Sequence, residues 1–100
     1  MHYLLIYEVT PDYLTRRADF RAEHLALAWE SVERGELLLG GALSDPADGA
    51  VLLFQADSPD VATNFALTDP YVKQGLVSKW SVRAWNTVVG HQASNPLQVG

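Results

Sequence analysis

The feature that most constrains this chain is that its strand-like segments are apolar at both parities. In the opening segment Leu4 and Ile6 occupy one parity and Tyr3, Leu5 and Tyr7 the other, and Leu37-Leu38-Leu39 and Val51-Leu52-Leu53-Phe54 repeat the pattern. Side chains alternate across a strand, so an antiparallel sheet with one solvated face reads as alternation of apolar and polar residues. These segments predict a sheet covered on both faces. A chain of 100 residues buries roughly two-thirds of its unfolded surface, enough for one thin core. The economical cover for the second face is the same face of a second copy, related by a twofold axis.

The order of elements follows from local chemistry. Residues 2–9 mix aromatic and branched residues and end at Thr10-Pro11-Asp12, as a strand does at a turn. From Tyr13 to Arg34 the chain lacks Gly and Pro, and Ala18, Ala22, Leu25, Trp29 and Val32 recur at helical spacing up to the stop at Gly35. The polar stretch Thr15-Arg16-Arg17-Ala18-Asp19 suits a break, with the main packed segment beginning near Ala18. Two apolar runs, 36–43 and 50–56, flank the turn formers Ser44-Asp45-Pro46-Ala47-Asp48-Gly49 and predict a hairpin. Ser58-Pro59-Asp60 opens a second helix, with Ser58 as cap and Pro59 at the first helical position. Val61, Ala62, Phe65 and Ala66 form its buried stripe, and Pro70 ends it near Thr68 by biasing Asp69 towards extended backbone. The last strand sets Leu76, Trp80, Val82 and Ala84 against Val77, Lys79, Ser81 and Arg83, with charges that suit a sheet edge. The order βαββαβ is the ferredoxin-like α+β pattern, with two helices on one face of an antiparallel sheet. One domain is expected over residues 1–90. The tail, 91–100, has no periodicity and is expected to be dispensable for folding.

Composition narrows the function. Seven basic against twelve acidic residues give a net charge of -5, with the basic residues scattered, so nucleic acid is an unexpected partner. There is no cysteine, which removes disulfides, thiolate nucleophiles and zinc–cysteine sites. No two histidines share a helix face with ligand spacing and there is no cysteine, so no metal is expected. Gly40-Gly41 lacks the spacing of a phosphate-binding loop, so neither is a nucleotide cofactor. The opening apolar run is too short for a signal segment or a membrane span, which leaves a cytoplasmic location as the default and no membrane partner.

Three histidines are present, and His24 alone lies inside a strongly periodic element. Histidine is the commonest general acid or base, but it needs an orienting acceptor to fix its tautomer. A histidine on a helix flank with no special partner is the ordinary alternative. His2 and His91 read as structural or incidental. Asp69, held extended ahead of Pro70, could be the acceptor, although Asp-Pro is also a routine helix stop. The three tryptophans are most simply core or interface aromatics. Gly40, Gly41, Tyr71 and Trp80 could wall a pocket for a planar ligand.

The segments Arg21-Ala22-Glu23-His24-Leu25, Glu33-Arg34-Gly35-Glu36-Leu37 with Gly40-Gly41-Ala42-Leu43, and Asp69-Pro70-Tyr71 with Gly75-Leu76, Val82 and Trp85 occur in order. Together they resemble the YciI-like (YCII-related) family over roughly residues 2–88. The resemblance implies a ferredoxin-like protomer, a dimeric α+β barrel formed through the sheet, and a cleft in which a histidine and an aspartate act together. The family histidine falls on His24, the aspartate on Asp69, and Arg21 matches the arginine one turn before the histidine. One branch of the family is similar to a dehydrochlorinase acting on a chlorinated, hydroxylated ring.

Two functions from different classes follow. In the first, His24 oriented by Asp69 moves a proton in an elimination or isomerisation of a small cyclic hydroxylated substrate, without a cofactor. In the second, the same cleft belongs to a dimeric binding or accessory module and the His–Asp pair is a structural hydrogen bond. A cavity open to solvent beside His24 separates the first from the second.

Overall fold

The computed structural model describes residues 1–99; Gly100, the last residue of the tail, lies outside the described residues. Eight helices and strands follow one another: β1 (His2–Val9), α1 (Tyr13–Arg16), α2 (Arg21–Glu33), β2 (Leu37–Ala42), β3 (Gly49–Gln55), α3 (Asp60–Thr68), α4 (Pro70–Lys73) and β4 (Val77–Trp85). The strands form one antiparallel sheet in the order β2-β3-β1-β4, the ferredoxin-like arrangement. The charged strand β4 is an edge, as its composition predicts.

Register decides which residues meet the helices. Tyr3, Leu5 and Tyr7 of β1 pair with Phe54, Leu52 and Ala50 of β3, and all six are buried. The helices cover this face. The opposite parity, with Leu4, Ile6, Val51 and Leu53, is only partly buried within the single chain. Gly49 is forced at the start of β3: a Cβ there would stand 2.7 Å from the Tyr7 carbonyl oxygen. Its absence lets β3 close on β1 beside Tyr7.

The long first helix is broken in the polar stretch where the sequence suits a break, with a 3-10 turn over Arg17–Asp19. The packed segment starts at Arg21 and not near Ala18, which is exposed within that turn. Its buried face also differs from the expected stripe. His24, Leu27, Ala28 and Ser31 turn inward, Ala22, Leu25 and Trp29 are exposed, and only Val32 keeps its expected packing. The two stripes lie side by side on one helix and both satisfy a three- and four-residue spacing, so periodicity alone does not choose between them.

Helix α3 ends at Thr68 as Pro70 requires. Pro59 sits at the cap position, one residue before the expected place, and the Ser58 hydroxyl accepts from the Asp60 amide at 3.3 Å. Beyond β4 the chain turns back on itself: the Asn95 amide donates to Thr87 O and the Leu97 amide to Val88 O. Thr87 and Ser94 close over His2, whose Nδ1 lies 2.6 Å from Thr87 Oγ1. The tail bonds to the segment just after β4, and His2 has a structural role.

Candidate functional site

Asp69 lies between two helices, as the last cap of α3 and the first of α4. Pro70 holds its backbone extended at φ -68° and ψ 123°, and this turns the carboxylate inward. The side chain is fully buried. A buried carboxylate needs donors, and Asp69 has three: the Tyr71 amide at 3.0 Å and His24 Nδ1 at 2.8 Å on Oδ1, and the Tyr7 hydroxyl at 2.7 Å on Oδ2. His24 and Asp69 thus meet across 45 positions. The helices lie on one face of the sheet, so the middle of α2 reaches the end of α3.

Three contacts fix the imidazole. Asp69 as acceptor places the proton on Nδ1. The Tyr71 ring stacks on the imidazole at 4.0 Å and 10°, and Phe65 meets it edge-on at 6.4 Å. Nε2 makes no hydrogen bond with the described residues and is not sealed off by protein. It belongs to a residue that lines a cleft of about 460 Å³ between α2 and the β2 side of the sheet. The cavity that distinguishes an accessible histidine from one packed shut is therefore present.

The cleft gathers Arg21, Gly41 and Tyr71 with His24, as the sequence suggests. Trp80 is a correction: it does not line the cleft. It lies on β4, on the far side of β1 from β3 and β2, and packs against the core there. Trp29 is the tryptophan at the cleft, and Tyr7, Tyr13 and Arg17 join it. Tyr7, Tyr13 and Arg17 do not stand out from spacing, and Trp29 recurs in the helical stripe as an expected core or interface aromatic. For Tyr7 a signal exists, because it shares parity with Leu5 and a buried tyrosine hydroxyl needs a partner.

Burial, then the charge and hydrogen bond of Asp69, push the Tyr7 hydroxyl far above the usual tyrosine range, so it remains a donor. Tyr71 is also raised, first by burial and then by Tyr13, while Arg17 and Arg21 pull it down. Among the described residues no group of three or more His, Asp or Glu could hold a metal ion, and no helix is long and apolar enough to cross a membrane.

A comparison with curated protein sequences finds no match. Among solved structures, the chain is similar to 5-chloro-2-hydroxyhydroquinone dehydrochlorinase (TftG) from Burkholderia phenoliruptrix AC1100, determined in complex with 2,5-dihydroxybenzoquinone. The two share 26% identity at a TM-score of 0.73, over 87% of this chain and 95% of that one. Protein Atu4242 from Agrobacterium tumefaciens shares the fold at 12% identity and a TM-score of 0.58, over 94% of this chain and 98% of that one. The model of the YCII-related domain matches residues 1–86, from the first strand through the last, and the chain belongs to that family.

Proposed function

We propose that the protein is a small acid–base enzyme in which His24, oriented by Asp69, moves a proton on a cyclic hydroxylated substrate bound in the cleft. One observation carries this reading: a single imidazole is tied at Nδ1 to a fully buried carboxylate and left free at Nε2 beside a cavity. With Nδ1 protonated, Nε2 is the base. It takes a proton from the ring, and the released electron pair either expels an anionic leaving group, which is elimination, or is protonated at another position, which is isomerisation. Asp69 stabilises the imidazolium that forms. A positioned group of this kind contributes about a hundred- to ten-thousandfold in rate and needs no cofactor. The likeness to a dehydrochlorinase supports the elimination branch and makes halogenated hydroxylated rings the first substrates to try.

We infer further that two copies pair through the open sheet face, where Leu4, Ile6, Val51 and Leu53 are only partly covered.

The test is turnover of a panel of such rings, including 5-chloro-2-hydroxyhydroquinone, by the native protein, His24→Ala and Asp69→Asn. Asparagine can hold the ring but cannot stabilise its charge. Asp69→Asn is expected to bind ligand and lower turnover by about a hundredfold or more. A loss of about 1–3 kcal/mol in stability with turnover unchanged would make the pair structural and the protein a binding module.

A further inference from the structure

The charges around the cleft are one-sided. The chain carries a net charge of -5, yet among the described residues the charged or imidazole side chains lining the cleft are Arg17, Arg21 and His24. No Asp or Glu lines it; Asp69 sits behind His24, fully buried and already holding three donors. The two arginines are one helical turn apart in sequence and both reach the cleft. Among the described residues neither guanidinium makes a salt bridge or donates a hydrogen bond, whereas Arg16 and Arg34 each bond within the chain. Guanidinium forks that no carboxylate of the described residues holds match the geometry of an oxyanion.

Aromatic contacts connect these arginines to the reacting centre. The Arg17 guanidinium lies over the Tyr13 ring at 5.4 Å, Tyr13 meets Tyr71 edge-on at 5.8 Å, and Tyr71 stacks on His24 at 4.0 Å. Arg17 is thereby set at one end of a packed row that finishes at the imidazole. The field of both arginines also reaches the Tyr71 hydroxyl, which it pulls down against the effect of burial. A cleft lined by one sign of charge, with low-dielectric walls, concentrates ligands of the opposite sign. Its walls include Leu25, Trp29, Leu37 and Leu52, apolar surfaces that suit the faces of a ring.

We propose that the cleft selects a planar ring that arrives as an oxyanion, met by Arg17 and Arg21 while its ring lies within reach of His24. This rests on the acid–base reading of the site and adds the ionisation state of the substrate to it. Arg17 and Arg21 are specificity-determining: they choose the ionised form over its neutral counterpart.

The experiment compares two probes by titration calorimetry: 2,5-dihydroxybenzoquinone, whose hydroxyls are ionised at neutral pH, and 2,5-dimethoxybenzoquinone, an uncharged ring of the same skeleton. The native protein is expected to favour the anion by about tenfold or more, with an affinity that falls as sodium chloride is raised. The double variant Arg17→Gln, Arg21→Gln should lose most of that preference. Arg17→Lys with Arg21→Lys should restore part of it, because the charge returns without the planar fork. Circular dichroism checks that each variant folds. Equal affinity for the two probes overturns the proposal, as does a preference unchanged in the double glutamine variant, or an anion that does not bind at millimolar concentration. Turnover does not enter this measurement. His24→Gln that loses turnover but keeps the anion preference supports both readings, and anion selection without any turnover removes the acid–base reading alone.

Discussion

Tyr7 is where core packing and candidate chemistry meet. Its ring is 2% exposed in the centre of the sheet, and its hydroxyl donates to Asp69 Oδ2 at 2.7 Å. Tyr7→Phe keeps the ring and removes the donor, which leaves one oxygen of a buried carboxylate short of a partner. The expected loss is about 1–3 kcal/mol in chemical denaturation. The pH dependence has a definite sign. The folded state holds the Tyr7 hydroxyl far above its unfolded value, so its contribution is complete below about pH 10 and declines as pH rises beyond it, where only the unfolded chain ionises. The native protein should therefore lose stability above about pH 10 more steeply than Tyr7→Phe. Equal slopes would mean that Tyr7 is not held neutral. His24 and Asp69 are legible in the sequence as candidates, because one histidine lies in a periodic helix and Asp-Pro fixes a backbone, and the family resemblance is what singles them out as a pair. The part of Tyr7 is not, since a strand tyrosine reads as core until its cross-helix partner is known.

At the scale of elements, the order of the four strands and two main helices follows from turn formers and proline, whereas the short helix α4 (Pro70–Lys73) and the start of α2 at Arg21 do not. Hairpin, helix stop and edge strand all stand where local chemistry predicts them. The face of α2 does not, because Leu25 and Trp29 are apolar and yet stay exposed at the cleft, while Leu27 and Ser31 pack inward. Trp80 and Trp29 exchange their expected places for a related reason: which tryptophan reaches the cleft depends on strand order, a long-range property. The C-terminal segment tests a different expectation. Its amide bonds return to Thr87 and Val88, past the end of β4, and it touches the sheet through His2. Deleting residues 91–100 should lower the melting temperature by less than about 4 °C, equivalent to under about 1 kcal/mol for a domain of this size. A larger loss would make the tail part of the fold.

For the whole molecule, one sheet face is closed by helices and the other is left partly covered. Leu39 and Trp85 are exposed in the single chain, at 69% and 46%. Light scattering should give a dimer across micromolar dilution, and a stable monomer would contradict pairing through the sheet. The two-parity apolar pattern makes the need for a second cover legible in the sequence. The candidate chemistry turns on one imidazole with one tied and one free nitrogen. Nitrogen-15 resonances of His24 measure this directly, across pH and with 2,5-dihydroxybenzoquinone added. A proton held on Nδ1 by Asp69 and an Nε2 resonance that moves when the ligand binds are the expected result. A proton resident on Nε2 with Nδ1 bare, or a ring unmoved by a ligand that binds, would contradict it.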